Sequence, residues 1–423
     1  MAEMTAKPPR PLRRVAMISV HGCPLVTPGM RSAGGMSVYL RRVSPLLAAQ
    51  GVCVDIFTRS HEAGGPDLLD IGPGVRVIHV AGGPAELSKE QVPPYLPEVL
   101  GGVRFHVDGE GVGYDAVHSH YWLSGWVGAQ LAQHLGVPHV VTYHTIGLVK
   151  EAAYVASEPS ERKVAEAGMA ASANQVLAFT KEEAETLRAL YGFDQSCVHV
   201  APGGVDLDMF RPAAAADARR RLGLPIGERT VLYVGRLDPF KGPDVLMRAM
   251  AGVPNARLLV VGGSDANDAG VGWLRDVAEE VGVQDRVTWR AAVPQEELRD
   301  YYAAADLLAV PSFHESFGLV ALEAMACGTP VVAARAGGLQ EVVVDGTTGS
   351  LIDGHEAGTY AACLNELLGD DDRRREMGQA AIRWAQGFGW EGAAAKMLST
   401  YEFAVSQFGG RPVVVPCIPG RVA

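Results

Sequence analysis

Cysteine is scarce in this chain, which has six cysteines among 423 residues, and no two of them form a CxxC pair. A disulfide framework or a cysteine-based zinc site needs closely spaced cysteines, so the sequence predicts neither. The pattern fits a reducing compartment, and we expect chemistry without a bound metal. The six residues are Cys23, Cys53, Cys197, Cys327, Cys363 and Cys417.

Several other signatures are missing. The chain has no GxGxxG segment, which argues against a nicotinamide or flavin dehydrogenase, and no GxxxxGK[ST] segment, which excludes a Walker loop. It also lacks an apolar run of about 18 residues that could cross a membrane. The basic residues from Lys7 to Arg14 precede a strand-like run, Val15–Val20, and not a signal-peptide core. We therefore expect a cytoplasmic protein without a transmembrane segment.

An excess of basic residues is lacking as well, since the formal net charge is −11. Binding of nucleic acid or of an anionic membrane would require a basic face, so we expect neither partner. The proportions of 48% apolar and 20% charged residues are ordinary for a globular protein. The length predicts two domains.

Strand-like runs of β-branched residues alternate with helical patterns along almost the whole chain. This alternation predicts an α/β protein whose parallel sheets are covered by helices. In the first half the predicted strands are Val15–Val20, Val52–Thr58, Val75–Val80, Ala116–His120, His139–Tyr143, Gln175–Phe179 and Cys197–Ala201. In the second half they are Thr230–Gly235, Arg257–Val261, Val287–Arg290, Leu307–Val310 and Pro330–Ala334.

A stretch rich in proline, glycine and alanine, near residues 206–228, interrupts the strand signal. We place the domain boundary there, with a first domain at residues 14–206 and a second at residues 207–389. A late helix at about residues 390–406 is expected to pack back on the first domain. Two doubly wound domains would leave a cleft between their strand ends, and such clefts are common ligand sites.

Residues 311–338 give the strongest functional signal. The pattern predicts a buried strand, an acidic turn at Glu315, a helix from about Leu319 to Ala326 that contains Glu323, and a second strand. An acid at a strand's carboxyl end beside a helix N-terminus indicates a phosphorylated sugar. The two catalytic acids of a glycosidase stand about 5–9.5 Å apart. The eight residues from Glu315 to Glu323, with a helix between them, span up to about 12 Å. We therefore expect one carboxylate on the transferred sugar and the other on a ribose diol.

Arg236 and Lys241 lie in the segment VGRLDPFKG, between a predicted strand and a helix. A guanidinium fork and a mobile ammonium are the usual pair for a diphosphate, and two solvated surface cations are the alternative. Gly34 and Gly35 precede the first helix of the chain, and paired glycines let a backbone approach a phosphate closely. These residues predict a diphosphate site.

Histidines and aromatic residues gather after two predicted strands of the first half. His118 and His120 lie in VHSHYW and His144 lies in TYHT, so all three are expected near the cleft. A lone histidine more often has a structural role. Because several histidines and aromatic residues occur together here, a functional role is as open as a structural one. By pattern alone, Lys89 and Arg162 are expected to be solvated surface cations. The run GDDDRRREM predicts a helix start and not a metal site, because acids favour the first turn.

Taken together, the motifs resemble retaining glycosyltransferase family 4. The resemblance rests on E-x7-E from Glu315 to Glu323 with its SFG and GTPVVA flanks, on GRLDPFKG, on PGGVD and on the glycine pair, and it spans roughly residues 14–405. It implies the GT-B fold, in which two Rossmann-like doubly wound domains face an interdomain cleft. Longer segments look like the enzymes that move N-acetylglucosamine from UDP to inositol phosphate in mycothiol synthesis, and sucrose-phosphate synthases are similar there. These segments are HGCPLVTPGMRSAGGMSVYL, ELSKEQVP, HSHYWLSG, HTIGLVK and VPSFHESFGLVALEA.

The resemblance also implies a role for each matching residue. On the donor side it implies Arg236 and Lys241 at the diphosphate, Gly35, Phe317, Gly318 and Leu319 around it, Glu323 at the ribose and Glu315 at the sugar hydroxyls. On the acceptor side it implies Lys89, Tyr121, Thr145 and Arg162 around a phosphate, Ser37 beside the acceptor and His144 near the reaction centre. Ser37 departs from the asparagine of the mycothiol enzymes, which leaves a different acceptor open.

The implied reaction transfers glucose or N-acetylglucosamine from a UDP-sugar to a phosphorylated polyol or sugar, such as inositol phosphate, with retention at the anomeric carbon. The UDP-sugar is a co-substrate, no cofactor is required, and magnesium is allowed but not implied. One alternative is glucosyl transfer to fructose 6-phosphate, as in sucrose-phosphate synthases. Others are a UDP-sugar epimerase or a non-transferring binding protein of the same fold. A homodimer is also left open.

Overall fold

The computed structural model describes residues 12–26, 34–61, 67–154, 157–264 and 268–409. Its strands form one sheet of eight strands and one of six. Pairing is parallel except between two neighbouring strands at one edge of the larger sheet. The architecture is therefore built from two mostly parallel sheets flanked by helices.

The larger sheet is formed by the first half of the chain, in the order β3-β4-β2-β1-β5-β6-β7-β8. Its strands are β1 (Arg14–Ile18), β2 (Cys53–Arg59), β3 (Leu68–Gly72), β4 (Val75–Val80), β5 (Ala116–His120), β6 (His139–Thr142), β7 (Gln175–Ala178) and β8 (Val198–Val200). Its helices are α1 (Gly35–Ala49), α2 (Leu96–Glu110), α3 (Trp122–Leu135), α4 (Gly147–Ala153), α5 (Ser160–Ser172) and α6 (Lys181–Tyr191).

The smaller sheet follows in the order β11-β10-β9-β12-β13-β14. Its strands are β9 (Arg229–Val234), β10 (Ala256–Val261), β11 (Val287–Arg290), β12 (Leu307–Val310), β13 (Val331–Ala334) and β14 (Gly349–Ile352). The helices of this half are α7 (Ala215–Leu222), α8 (Pro243–Ala249), α9 (Ala269–Glu280), α10 (Leu298–Ala304), α11 (Leu319–Ala326), α12 (Leu339–Val342), α13 (Ala357–Gly369) and α14 (Asp371–Ala385). The last helix, α15 (Trp390–Gln407), follows them.

Helix α15 packs against the first domain, where it lies along α1. Its Tyr401 hydroxyl lies 2.7 Å from Nδ1 of His118 in β5. The first residue of the helix, Trp390, lies so close to Gly204 that a Cβ at that glycine would come within 2.8 Å of it. The chain therefore passes between the domains at two adjacent places, near Gly204 and at the start of α15.

The strand order reverses beside the first strand of each sheet. β1 lies between β2 and β5, and β9 lies between β10 and β12. Ligands of open α/β sheets bind in the crevice outside the carboxyl ends of such strands. The central strands β5 and β12 are buried along their whole length, as expected when helices cover both faces of a sheet.

The predicted class, α/β with two doubly wound domains, is confirmed. All predicted strands are present, with ends that differ by one or two residues, and α11 has the predicted limits. The prediction missed β3 and β14, because the sequences LLDIG and GSLI contain no β-branched run. The late helix runs to Gln407, one residue beyond its expected end. The domain limits stay a prediction.

Candidate active site

Residues that follow strands of the two sheets meet between the domains. His144 follows β6 and Ser316 follows β12, and the Ser316 hydroxyl donates a hydrogen bond to the His144 carbonyl. The ring of Phe317 lies 6.3 Å from that of Phe179, which follows β7. The carboxyl ends of strands from both sheets therefore border a common interdomain cleft.

Lys241 and Glu315 form an ion pair on the second-domain side of this cleft. Lys241 Nζ donates to Glu315 Oε1 at 2.7 Å, and the Ser312 hydroxyl donates to the same oxygen at 2.8 Å. Burial would raise the pKa of Glu315, but the charge of Lys241 and these two hydrogen bonds hold that pKa below its ordinary value. Glu315 is therefore an ionised carboxylate, fixed in position by Lys241.

Arg236 extends toward the first domain. Its side chain is 40% exposed, and Nη1 lies 3.8 Å from the Asp238 carboxylate. After burial, the charge of Arg236 is the main reason why the pKa of Lys89 in the first domain lies below its ordinary value. The two cations therefore act on each other across the cleft, and a bound anion would relieve their repulsion.

The N-termini of two helices face each other beside these charges. Gly35 begins α1 and Leu319 begins α11, and a Cβ added to Gly35 would lie 3.4 Å from Leu319 Cδ1. Neither helix has an acidic residue in its first turn. Gly318 precedes α11 with φ +103°, and a Cβ there would come within 2.8 Å of Leu339, so this position requires glycine. Two positive dipole ends thus meet at a place suited to an anion.

Glu323 lies in α11 and is only 5% exposed. Its Oε1 accepts a hydrogen bond from Gln295 Nε2 at 2.6 Å, and its Oε2 accepts one from the Tyr302 hydroxyl at 2.7 Å. Burial raises the pKa of Glu323 to about 7 despite these bonds. Gln295 also accepts a hydrogen bond from Arg42 in α1 at 3.0 Å, which links Glu323 to the first domain. Each carboxyl oxygen retains a second lone pair for a ligand hydroxyl.

The three histidines named from the sequence lie together. The rings of His118 and His120 are 4.0 Å apart, and His120 Nδ1 lies 3.0 Å from His144 Nε2. Burial lowers the pKa of each imidazole, that of His144 to about 3, so all three are neutral near pH 7. His118 is bonded to Tyr401 and has a structural role. His144 borders the cleft with a left-handed backbone, φ +59°, which is strained for this residue type.

Lys89 and Arg162 lie around Tyr121 on the first-domain side. Lys89 Nζ is 5.9 Å and Arg162 Cζ is 5.0 Å from the centre of the tyrosine ring. The His21 ring is 4.5 Å from the same ring. Lys89 retains 36% exposure of its side chain. The structure therefore brings two cations and a phenol together opposite Arg236.

Arg162 is not the solvated surface cation that its pattern suggested, because its side chain is only 2% exposed. Its Nε donates to Glu166 at 2.7 Å and its Nη1 donates to Glu158 at 2.8 Å. Its Nη2 donates to the carbonyl and to the hydroxyl of Thr145, each at 2.9 Å. A guanidinium has five N–H groups, so these bonds leave one on Nη1 for a ligand. The protein therefore fixes the position of the Arg162 guanidinium.

Ser37 lies in the first turn of α1 and is 2% exposed. Its hydroxyl has no hydrogen-bond partner among the described residues. A buried hydroxyl without a partner is costly to the folded state.

Sequence reasoning missed several residues of this interface. His21 comes shortly after β1, just as the predicted site residues come shortly after other strands. This position could have identified it from the sequence. Arg42 and Gln295 lie within helical patterns that give no such signal. Glu341 accepts hydrogen bonds from the backbone N–H groups of Lys181 and Glu182, at 2.7 and 3.2 Å, across the domains.

Two families of glycosyltransferase match this chain. Residues 34–204 match the glycosyl transferase 4-like domain, and residues 215–384 match the glycosyl transferases group 1. The D-inositol 3-phosphate glycosyltransferase of Xylanimonas cellulosilytica is 45% identical over 406 residues, covering 93% of this chain and 97% of that protein. The protein of the same name from Nocardia farcinica is 44% identical over 416 residues, covering 94% and 91%.

Solved structures show the same architecture. The sucrose-phosphate synthase of Thermosynechococcus elongatus superposes with a TM-score of 0.86 at 38% identity, covering 92% of this chain and 98% of that one. The Anabaena protein HepE, in complex with UDP and glucose, superposes with a TM-score of 0.71 over 91% and 98% of the two chains, and its 22% identity supports the fold alone.

None of the helices in the described part of the chain has both the length and the apolarity needed to cross a membrane. The GT-B fold expected from the motifs is confirmed by these structures. The chain is a glycosyltransferase and belongs to the group 1 glycosyltransferases that have a glycosyl transferase 4-like first domain.

Proposed function

We propose that this protein transfers a hexosyl group, glucose or N-acetylglucosamine, from a UDP-sugar to a hydroxyl of D-inositol 3-phosphate, with retention at the anomeric carbon. The observation that carries the proposal is a pair of cationic groups on opposite sides of one cleft, with Arg236 and Lys241 on one side and Lys89 and Arg162 on the other. Two separate anions, a diphosphate and an acceptor phosphate, match two such groups. The names of the relatives support inositol phosphate as the acceptor.

In this proposal the diphosphate lies between the N-termini of α1 and α11, near Gly35, Phe317 and Gly318. Rupture of the bond between the anomeric carbon and the β-phosphate oxygen places negative charge on that phosphate. Arg236 and Lys241 already stand beside this position, and preorganised groups of this kind typically contribute about 3–4 kcal/mol each. Glu315 would accept hydrogen bonds from the sugar hydroxyls, and Glu323 would accept them from the ribose.

The acceptor phosphate would be bound by Lys89, Arg162, Tyr121 and Thr145. Lys89 is the mobile charge, since its one ion pair among the described residues, with Glu90 at 3.8 Å, lies at the limit of contact. Arg162 is the fixed group, because Glu158 and Glu166 hold its guanidinium. This combination would orient the acceptor hydroxyl toward the anomeric carbon.

The acids near the donor do not support an enzymatic nucleophile, since Glu315 is ion-paired with Lys241 and Glu323 lies inside α11. We therefore propose attack by the acceptor on the face that the leaving group departs from. The acceptor oxygen bonds to the anomeric carbon as the bond to the phosphate breaks, and the hydroxyl proton passes to the phosphate oxygen. Neutral His144 would form a hydrogen bond with the sugar beside this centre. Closure of the two domains would exclude water from it.

The proposed mechanism needs no metal, because protein cations and helix termini already neutralise the leaving group. Transfer should therefore persist in a magnesium-free buffer.

Fructose 6-phosphate is a second candidate acceptor, and Ser37 leaves it open. The resemblance to the mycothiol enzymes implies asparagine at this position, whereas the serine found here has a buried hydroxyl without a partner among the described residues. The superposition with the sucrose-phosphate synthase at 38% identity supports the same candidate.

A donor-by-acceptor screen tests both candidates. UDP-glucose and UDP-N-acetylglucosamine are each combined with D-inositol 3-phosphate, fructose 6-phosphate or unphosphorylated inositol, and UDP release is measured. We expect release to depend on D-inositol 3-phosphate, and we expect NMR of the product to show the anomeric configuration of the donor.

Other outcomes would point elsewhere. Faster release with fructose 6-phosphate would favour the second candidate. Equal rates with inositol and its phosphate would contradict the acceptor phosphate site. UDP release or sugar epimerisation without any acceptor would indicate an epimerase or hydrolase, and no turnover with bound donor would indicate a binding protein.

A further inference from the structure

Three side chains outside the proposed reaction centre converge at the carboxyl edge of the first sheet. Cys23 follows β1, His61 follows β2, and His79 lies near the end of β4. These strands are neighbours in the order β4-β2-β1, and Thr58 pairs with His79 in the register of β2 and β4. Residues far apart in the sequence are therefore brought to one point by the sheet.

The geometry of this cluster is that of a metal site. One ligand atom from each of the three side chains lies within 4.8 Å of the others. Cys23 Sγ and His79 Nε2 are 3.5 Å apart. Bond lengths of about 2.3 Å for Zn–S and 2.0–2.1 Å for Zn–N, at a tetrahedral angle, place sulfur and nitrogen roughly 3.5 Å apart. This pair therefore already has the spacing that a shared ion would impose.

Three further observations support a cation at this place. The backbone N–H of Leu25 points at Cys23 Sγ at 3.5 Å, a contact that favours the thiolate form needed for coordination. Nδ1 of His61 is buried and has no hydrogen-bond partner among the described residues. The His61 and His79 rings are 5.4 Å apart and tilted by 45°, so a small rotation would direct both toward one ion.

We propose that Cys23, His61 and His79 bind one borderline-soft divalent cation of the zinc class, with the fourth position open to water. One thiolate and two imidazoles suit zinc or cobalt(II), whereas calcium and magnesium require oxygen ligands. Binding displaces the thiol proton to solvent and involves no redox step.

The cation would hold in place a segment that borders the proposed acceptor side of the cleft. Cys23 lies two residues after His21, whose ring packs on Tyr121. The ion would therefore tie the segment that follows β1 to β2 and β4. Arg59 fixes the neighbouring loop by donating to the carbonyls of Pro84 and Ala85 at 2.7 and 3.1 Å, and this loop leads to Lys89. The site would be structural and would not touch the reacting groups.

The test is a cobalt(II) titration of the full-length protein after removal of bound metal with a chelator. We expect about one equivalent of cobalt(II) to bind, with a thiolate-to-cobalt charge-transfer band in the near ultraviolet and the strong visible bands of tetrahedral cobalt. Zinc should displace it. Zinc should also raise the melting temperature of the protein, because it binds the folded state.

Matched variants identify the ligands. Cys23→Ser should abolish the charge-transfer band, and His61→Gln should weaken cobalt binding at least about tenfold. Cys53→Ser, at the opposite end of β2, and His134→Gln, on α3, should leave both the band and the affinity unchanged. Absence of a band in the wild-type protein, or a band that persists in Cys23→Ser or disappears in Cys53→Ser, would overturn the proposal, and neither outcome depends on transferase activity.

Discussion

Lys241 is bound to Glu315 and also stands beside the proposed leaving group, so one ammonium serves two negative charges. Because Glu315 is buried, its carboxylate relies on Lys241 for neutralisation even without substrate. In the proposed mechanism, the ion pair would therefore prepare the site before the donor binds. Its bond also fixes Nζ, so little rearrangement is required when charge develops on the phosphate.

Substitution Lys241→Ala should lower kcat/KM by at least about a hundredfold, since one preorganised charge is lost. Steady-state kinetics with a saturating acceptor would measure this effect. The control is Lys396→Ala, which removes an exposed lysine of α15 and should leave the rate unchanged. Near-normal transfer by a folded Lys241→Ala protein would contradict the leaving-group assignment.

Glu183 makes stability depend on pH. It is buried in the first turn of α6, accepts a hydrogen bond from the Phe179 N–H at 2.7 Å, and has a pKa that burial raises from 4.5 to about 7. The folded state therefore holds a proton that the unfolded state releases above pH 4.5. Stability contributed by the protonated form is present at low pH and is lost as the pH rises toward 7.

The variant Glu183→Gln retains a hydrogen-bond acceptor but removes the charge. Its free energy of unfolding relative to wild type should rise by roughly 2 kcal/mol between pH 5 and pH 8. Chemical denaturation at both pH values measures the difference, and Glu185→Gln on the exposed side of α6 is the control. A difference that does not change with pH would mean that Glu183 is ionised in the folded protein at pH 5.

At the scale of elements, α15 joins the end of the described chain to the first domain by one buried polar contact. The Tyr401 hydroxyl lies 2.7 Å from His118 Nδ1, and both side chains are fully buried. His118 Nε2 lies 2.9 Å from the Thr142 hydroxyl, so the imidazole is bonded on both sides. The helix therefore supports the strand that leads to Tyr121 and the proposed acceptor site.

Removing one hydroxyl tests this contact. Tyr401→Phe should destabilise the protein by about 1–3 kcal/mol, because a buried imidazole nitrogen loses its partner. Tyr360→Phe is the matched control, since the buried Tyr360 hydroxyl has no partner among the described residues and its removal should cost almost nothing. Equal unfolding midpoints for the two variants would show that the bond to α15 contributes no net stability.

At the scale of the whole molecule, the domains meet through aromatic contacts, such as that between Phe179 and Phe317, and through polar contacts at the N-terminus of α6. Glu341 from α12 accepts two backbone hydrogen bonds at the N-terminus of α6, where the helix dipole favours a carboxylate. Gln340 donates to Glu182 at 3.1 Å beside it. Such contacts can favour the observed arrangement and still be broken when product leaves.

The variant Glu341→Ala should shift the domains toward separation. A helix-terminal carboxylate contributes about 1 kcal/mol, and its loss changes the ratio of contacting to separated domains roughly fivefold. We expect a larger radius of gyration in small-angle scattering without donor, and a donor KM raised by about the same factor. Glu402→Ala, on the exposed face of α15, is the control, and an unchanged radius for Glu341→Ala would show that this contact does not hold the domains together.

The alternation of β-branched runs and helical patterns by itself determined the two-domain α/β architecture, because burial of central strands imposes a local pattern. It also placed the proposed donor residues Arg236, Lys241 and Glu315 in the segments that follow β9 and β12. Only the tertiary structure joined Glu323 to Arg42 through Gln295 and brought Cys23, His61 and His79 to one point. It also showed Arg162 to be a buried cation whose guanidinium is held by Glu158, Glu166 and Thr145. Local sequence records which residues follow a strand, but it does not record which strands become neighbours, and these contacts depend on that order.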